Sequence, residues 1–418
     1  VLAYPDVSSL PSAPDLAVVC TPLATVPALL SELGERGTRA AILLTAGPSD
    51  VEGGTDRSLQ QGMLAASEPH CLRILGPSSL GVLVPEIGLD ASFAHVEARP
   101  GRLALVSQSR ALCTAVLDWA GSRGVGFSHF VSLGNSTDVD VGDVLDYLGA
   151  EIATSAILLY LEGVHERRKF MSAGRRAARN KPVIVIKSGR QTEGVRAAAS
   201  HAGALAEEDA VYDAAFRRAG MLRLDQFHEL FDAAETLTRS RPAAGDRLLI
   251  VTNGRGPGAL AADAQIAGGG RLAELSPEIR KRLDEVLPAT WSAANPIDIT
   301  CDAPGERYAA ALEILLAESD ADGILVLYSP TAIASSEDAA RAVAETVAAV
   351  ATHRIVLTIS LGGEGAEPAR RILRDAAIAT YDAPRDAVRA FLHMVSFRRN
   401  QRQLMETPPS LPEEFAPT

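Results

Sequence analysis

Several groups of residues have types and spacing suited to chemistry. His201 lies in "RAAASHAGALAEEDAVYDAAF" (Arg196–Phe216), in a bed of small residues. A neutral imidazole is a nucleophile near neutral pH. The small neighbours offer no bulk to anchor the chain, which is the freedom a swinging nucleophile needs. The rival reading makes Ser200 a helix N-cap, with His201 in the first turn and Glu207 and Glu208 further along. Glu162 closes the apolar run in "LLYLEGV". A strand-end carboxylate is either merely solvated or placed to orient and polarise an imidazole.

Two further stretches run from an apolar segment into a helical pattern. In "VSQSRALCTAVLDWA" (Val106–Ala120), Gln108 and Ser109 precede the helix. Its unpaired N–H groups and positive dipole end suit an anion. The rival reading makes Ser109 an ordinary N-cap. In "LLIVTNGRGPGALAADA" (Leu248–Ala264), Gly254, Gly256 and Gly258 let a ligand approach the backbone. Gly254-x-Gly256-x-x-Ala259 also matches a dinucleotide fingerprint, with Glu274 placed as a ribose-binding acid. That pattern points to a nicotinamide-linked oxidoreductase, and its own rival is a tight junction without ligand. In "AANPIDIT", Asn295 and Asp298 flank Pro296, which by itself reads as a turn.

These residues need elements to position them. Apolar runs recur at 15–22, 39–47, 102–109, 155–163, 181–189, 246–254, 322–330 and 354–363, each ending in small or polar residues. Unbroken Val/Ile/Leu runs suit strands buried on both faces of parallel sheets. Helical patterns lie between them; in "ALCTAVLDWA", Leu112, Val116 and Trp119 share one face. The expected class is α/β, as three successive Rossmann-like and flavodoxin-like domains. Pro100-Gly101 and "RSRPAAGDR" punctuate the chain. The expected division is 1–98, 99–240, 241–398 and a polar, Pro-rich linker at 399–418. Ligands of such sheets bind beyond the carboxyl ends of the strands, where the residues above lie.

The 418 residues carry a net charge of −12, with 47% hydrophobic and 22% charged residues. Nothing supplies the basic stripe that nucleic acid requires. Cys20, Cys71, Cys113 and Cys301 are scattered, without disulfide or metal-ligand spacing. No signal peptide and no apolar run long enough for a bilayer is present, so a cytoplasmic protein is expected. The chain opens at Val1 rather than Met and ends in a linker-like tail, so a piece of a longer protein is expected.

Taken together and in this order, the pieces resemble the α-type portion of nucleoside-diphosphate-forming acyl-CoA synthetases. These are related to succinyl-CoA synthetase and include the ADP-forming acetyl-CoA synthetases. The resemblance spans nearly the whole chain. It is nearest in plan to bacterial multidomain forms that continue into an ATP-grasp domain and often a GNAT acetyltransferase domain, as in Pat-type lysine acetyltransferases. It implies a phosphorylated histidine at His201 in "SHAGALA" and an acid holding it at Glu162 in "LYLEGV". It implies phosphate binding at Gln108, Ser109, Arg110, Gly254, Arg255, Gly256, Asn295 and Asp298. It implies CoA binding at Thr21 and Pro22 ("CTP"), at Thr45, Ala46 and Gly47 ("LTAG"), and at Pro77 and Ser78 ("GPSSLG").

The reaction so implied converts acyl-CoA, phosphate and ADP reversibly into acid, CoA and ATP. Nucleotide and magnesium would bind an ATP-grasp domain outside this chain, so the chain alone should not make ATP. The implied assembly is an oligomer of α- and β-type parts. The family usually has Gly at Arg110, Arg255 and Glu207, and Asn at Ser78. The opening strand and Gly-rich turn of its CoA-binding domain are not in this chain. The arginines either add phosphate contacts or fill the pocket. The second outcome motivates an alternative, a non-catalytic CoA-sensing module of a GNAT-type acetyltransferase. The resemblance assigns the second Gly-rich turn to phosphate and places the nicotinamide reading a distant third.

Overall fold

A computed structural model describes residues 2–46, 57–190, 209–227, 229–239, 244–350 and 354–406. The chain forms two compact units, Val1–Leu230 with Asn400–Thr418, and Phe231–Arg399. All eight apolar runs contain strands of predominantly parallel sheets, although the strand of the first run is not buried on both faces.

In the first unit, β1 (Leu16–Val19), α1 (Val26–Glu35), β2 (Ala40–Leu43), α2 (Arg57–Ser67) and β3 (Arg73–Leu75) form a parallel sheet in the order β1-β2-β3. A second sheet contains β4 (Gly81–Val84), β5 (Leu89–Ser92), β6 (Pro100–Ser107), β7 (Phe127–Ser132), β8 (Ala156–Leu161), β9 (Val183–Lys187) and β10 (Leu222–Leu224). Its order is β10-β9-β8-β6-β7-β4-β5. Its helices are α3 (Arg110–Arg123), α4 (Val141–Ala150), α5 (Arg167–Asn180) and α6 (Asp209–Arg218). Asp140 starts α4 with a capping box: its carboxylate accepts from Gly142 N and Asp143 N at 2.8 and 3.0 Å, and Asp143 accepts from Asp140 N at 3.1 Å.

Residues 81–92 were expected to belong with the first domain, but they form an antiparallel hairpin in the second sheet. β4 pairs with β7 through Val82↔Val131 and Leu83↔Phe130, which buries Leu83 and Ala91. The face of α3 also differs by one step. Cys113, Val116, Leu117 and Ala120 are buried, whereas Leu112 and Trp119 are half-buried.

The two sheets of this unit are stitched by loops. Asn135 N donates to Pro77 O at 2.9 Å and Thr137 N to Gly76 O at 3.2 Å. Arg73 pairs with Asp138 at 2.9 Å, and Asp138 also accepts from Ile74 N at 2.8 Å.

The second unit is fully parallel. It contains α7 (Glu229–Arg239, starting just before the division), β11 (Arg247–Thr252), α8 (Arg255–Ala267), β12 (Arg271–Leu272), α9 (Pro277–Val286), β13 (Ile297–Asp298) and α10 (Gly305–Glu318). It continues through β14 (Gly323–Tyr328), α11 (Ser336–Ala349), β15 (Ile355–Ser360), α12 (Glu367–Asp375), β16 (Ala379–Tyr381) and α13 (Pro384–Met405). The order is β12-β11-β14-β15-β16, with β13 also on β11. Each buried Leu, Ile or Val side chain of β11 and β14 contributes about 1.5–3 kcal/mol.

At the start of the expected linker, α13 continues to Met405, and residues 407–418 lie outside the described residues. Phe391, Met394, Phe397, Asn400 and Leu404 are buried at helical spacing. Asn400 and Gln401 donate to Met221 O and Gly220 O at 2.7 and 2.8 Å, within the first unit. Arg399, Arg402 and Gln403 lie on the exposed side of the helix.

His129 on β7 is 7% exposed, its Nδ1 has no hydrogen-bond partner, and Nε2 lies 3.4 Å from Tyr147 Oη. Burial lowers its pKa; Glu151 opposes that and Lys181 adds to it. The unfolded chain therefore binds the proton at higher pH than the folded one. Stability is complete above the unfolded value of about 6.5 and falls as the pH drops through the folded one. The slope from this group is at most about 1.4 kcal/mol per pH unit. His129→Gln should flatten the pH dependence of thermal unfolding between pH 7 and 5. An unchanged curve would remove His129 as its source.

Candidate functional site

The two helix starts singled out in the sequence share one construction. At the end of β6, Ser107 Oγ donates to Ser109 O and accepts from Ser109 N, both at 3.0 Å. At the end of β11, Thr252 Oγ1 donates to Gly254 O at 3.0 Å and accepts from Gly254 N at 3.1 Å. A hydroxyl at the last strand position thus sets the turn into each helix. The next residue is an amide that grips the neighbouring strand. Gln108 Oε1 accepts from Glu162 N at 2.6 Å and Gly163 N at 3.1 Å, and Nε2 donates to Gly163 O at 2.9 Å. Asn253 Oδ1 accepts from Ser329 N at 2.7 Å, and Nδ2 donates to Ser329 O at 2.8 Å.

This geometry gives Gln108 another part from the one the sequence suggested. Its amide is engaged just beyond the end of β8, where it fixes the backbone of Glu162. Ser109 does cap α3, accepting from Leu112 N at 3.4 Å, so the bland reading of its side chain holds. That leaves backbone N–H groups of the first turn as the donors an anion would meet.

Arg110 and Arg255 occupy the first position of their helices, and each has a local partner. The Arg110 guanidinium lies 5.9 Å from the Phe93 ring centre. Arg255 Nε pairs with Asp298 Oδ2 at 3.2 Å, with Arg255 81% exposed and Asp298 only 10%. Asp298 also accepts from Thr300 N at 3.0 Å. Asp298 thus anchors Arg255 in this structure. Asn295 likewise has partners within its own unit. Its Oδ1 accepts from Ile250 N at 3.0 Å, and its Nδ2 donates to Leu248 O and Ala273 O, both at 2.9 Å. That amide ties β11 to its neighbours and is spent. Gly254 and Gly256 fit a close approach: a side chain at Gly256 would meet nothing within 4 Å.

At the carboxyl ends of β1 and β2, Thr45 Oγ1 donates to Thr21 O at 2.7 Å, and Thr25 Oγ1 to Thr21 Oγ1 at 3.0 Å. Thr21, Pro22 and Ala46 are exposed there. Ser78 N donates to Thr45 O at 2.9 Å, bringing the third segment alongside. Pro77 and Ser78 are buried, however, so they shape this edge from beneath. Ser78 has φ +59, a left-handed conformation that asparagine tolerates better than serine. Gly47, His201 and Glu207 lie outside the described residues. Among the described residues, no cluster of three or more His, Cys, Asp or Glu is placed to hold a metal, and no helix is long and apolar enough to cross a membrane.

Known proteins resolve which family builds such strand ends. Residues 1–85 match a CoA binding domain, 100–237 a succinyl-CoA ligase like flavodoxin domain, and 248–404 a ligase-CoA domain. The α subunit of acetate–CoA ligase [ADP-forming] I from Pyrococcus furiosus is 35% identical, over 93% of this chain and 83% of its own. The chain belongs to the nucleoside-diphosphate-forming acyl-CoA synthetase family. Another member, acetate–CoA ligase [ADP-forming] I of Archaeoglobus fulgidus, is 38% identical over 93% of this chain, which spans 55% of that protein's length. Among solved members, acetyl-coenzyme A synthetase 1 of Ca. Korarchaeum cryptofilum, in complex with phosphate and ADP, superposes with a TM-score of 0.87. It is 31% identical, over 97% of this chain and 87% of that one. These synthetases are named as ligases. They give no support to a regulatory sensing module or to the Pat-type link.

Proposed function

We propose that this chain is the CoA-binding and phosphotransfer part of an ADP-forming acyl-CoA synthetase. Acyl-CoA and phosphate give acyl phosphate and CoA. His201 attacks the phosphorus of the acyl phosphate, the acid leaves, and phosphohistidine forms. ADP takes the phosphoryl group to give ATP and free histidine. Glu162 fixes the imidazole tautomer and offsets the positive charge that develops on the ring. The N–H groups at the starts of α3 and α8 stabilise phosphoryl oxygens, since dipoles fixed in advance need no reorganisation. Arg255, anchored by Asp298, adds a guanidinium beside the second of these. CoA lies on the exposed edge formed by Thr21, Pro22 and Ala46. The nucleotide and magnesium belong to an ATP-grasp partner, and the setting is cytoplasmic.

One observation carries this reading. Gln108 fixes the backbone of Glu162 at the mouth of β8, next to β9, from whose end the chain leads into the segment bearing His201. The family supports it, and two of the named relatives are acetate–CoA ligases.

The test uses the chain with its ATP-grasp partner, acetyl-CoA, phosphate, ADP and Mg²⁺. The expected result is ATP and free CoA thiol in equal amounts, with no ATP when phosphate is omitted. CoA binding by calorimetry without ATP from any acyl-CoA would favour the sensing module instead.

A further inference from the structure

β5 pairs antiparallel with β4, and β4 pairs antiparallel with β7, so β5 runs in the same direction as β6 and β7. Its carboxyl end therefore lies on the edge of the sheet from which α3 begins. The next residue is Phe93, which is 50% exposed. The turn that carries it is fixed. Phe93 N donates to Leu80 O at 3.1 Å, Ala94 N to Ser92 Oγ at 3.2 Å, and Ser92 Oγ to Asp90 Oδ1 at 2.6 Å. The guanidinium of Arg110, the first residue of α3, lies 5.9 Å from the ring centre. The start of α3 is also joined to the CoA edge within the same unit. Leu133 N donates to Ser107 O at 2.8 Å, Asn135 N to Pro77 O at 2.9 Å and Ser78 N to Thr45 O at 2.9 Å.

A single exposed phenylalanine carries no message by itself. Phe93 differs in its place. For acyl phosphate to form, a phosphate oxygen bonds to the thioester carbonyl carbon, the carbon–sulfur bond breaks, and the sulfur leaves as the thiolate of CoA. Phosphate held at the start of α3 brings that carbon to about 3–3.5 Å before attack, so the acyl chain enters the space beside Arg110. Ring and guanidinium meet there in a cation–π contact. Together they present an apolar surface suited to an alkyl chain next to a cationic one suited to phosphate. We propose that Phe93 is a specificity-determining residue, a wall that limits the acyl group to short chains. This rests on the synthetase reading of the chain.

The experiment measures kcat/KM for acetyl-CoA and butyryl-CoA, with the chain and its ATP-grasp partner making ATP from phosphate and ADP. Wild type should prefer acetyl-CoA. Phe93→Ala should raise the butyryl-to-acetyl ratio on the order of tenfold, because one methylene against a pocket wall is worth about that much or more. Phe93→Trp should lower the ratio. An unchanged ratio in either variant would overturn the inference. So would an equal slowing of both substrates, which would leave the ring only as a support for Arg110, or a wild type that already prefers butyryl-CoA. A wild type that makes ATP from no acyl-CoA would overturn the synthetase reading and the inference with it.

Discussion

Replacing Gln108 by alanine is expected to slow phosphohistidine formation on the order of a hundredfold and to leave CoA affinity unchanged. The side chain makes three hydrogen bonds to the end of β8, the shortest from Glu162 N at 2.6 Å. Removing it leaves two N–H groups and one carbonyl without that partner, at a cost of about 1–3 kcal/mol in the first unit. The larger effect is on placement. Glu162 reaches the reaction only as accurately as its backbone is held, and a shift of about 1 Å costs far more in rate than in stability. Gln108→Asn tests the geometry, since Asn253 makes the equivalent grip in the second unit. A Gln108→Ala protein with the wild-type labelling rate would show that Glu162 is held by something else.

Gly134→Ala should destabilise the first unit by about 3 kcal/mol. Two costs add. Gly134 has φ +60, where any side chain is strained. A Cβ there would also strike the Pro77 carbonyl oxygen and lie 2.8 Å from Ser78 C and Ser79 N. The obstacle is backbone, so no rotamer change relieves it. The loops carrying Asn135 and Pro77 must then separate, and the edge beside Thr45 shifts with them. The expected fall in unfolding midpoint is roughly 8 °C, with weaker CoA binding. An unchanged midpoint would contradict the close approach.

Strands buried on both faces were legible because their sequences are unbroken apolar runs. β8, "AILLYL", and β14, "GILVLY", needed no other signal. β7, "FSHFVS", is just as buried but was not legible. Its polar residues find partners only in the fold, as Ser128 does with Thr154 at 2.8 Å. The β4–β5 hairpin was lost for a similar reason, since its partner β7 lies about 45 residues further along the chain. The site shows the same division. Gln108, Asn295 and Asp298 read as phosphate ligands from their types, and in the structure each has hydrogen-bond partners within its own unit. What each one binds lies between 2 and 55 residues away in the chain, and spacing alone does not reveal it. One signal was available: Ser107-Gln108-Ser109 and Thr252-Asn253-Gly254 repeat hydroxyl, amide and small residue at two strand ends.

The central claim is that His201 carries the phosphoryl group. It is tested most directly by incubating wild type and His201→Asn with the ATP-grasp partner and labelled ATP, then measuring acid-labile, base-stable phosphate on the chain. The account predicts label on wild type, discharged by ADP, and none on His201→Asn. Equal label on both proteins, or none on either, would contradict it.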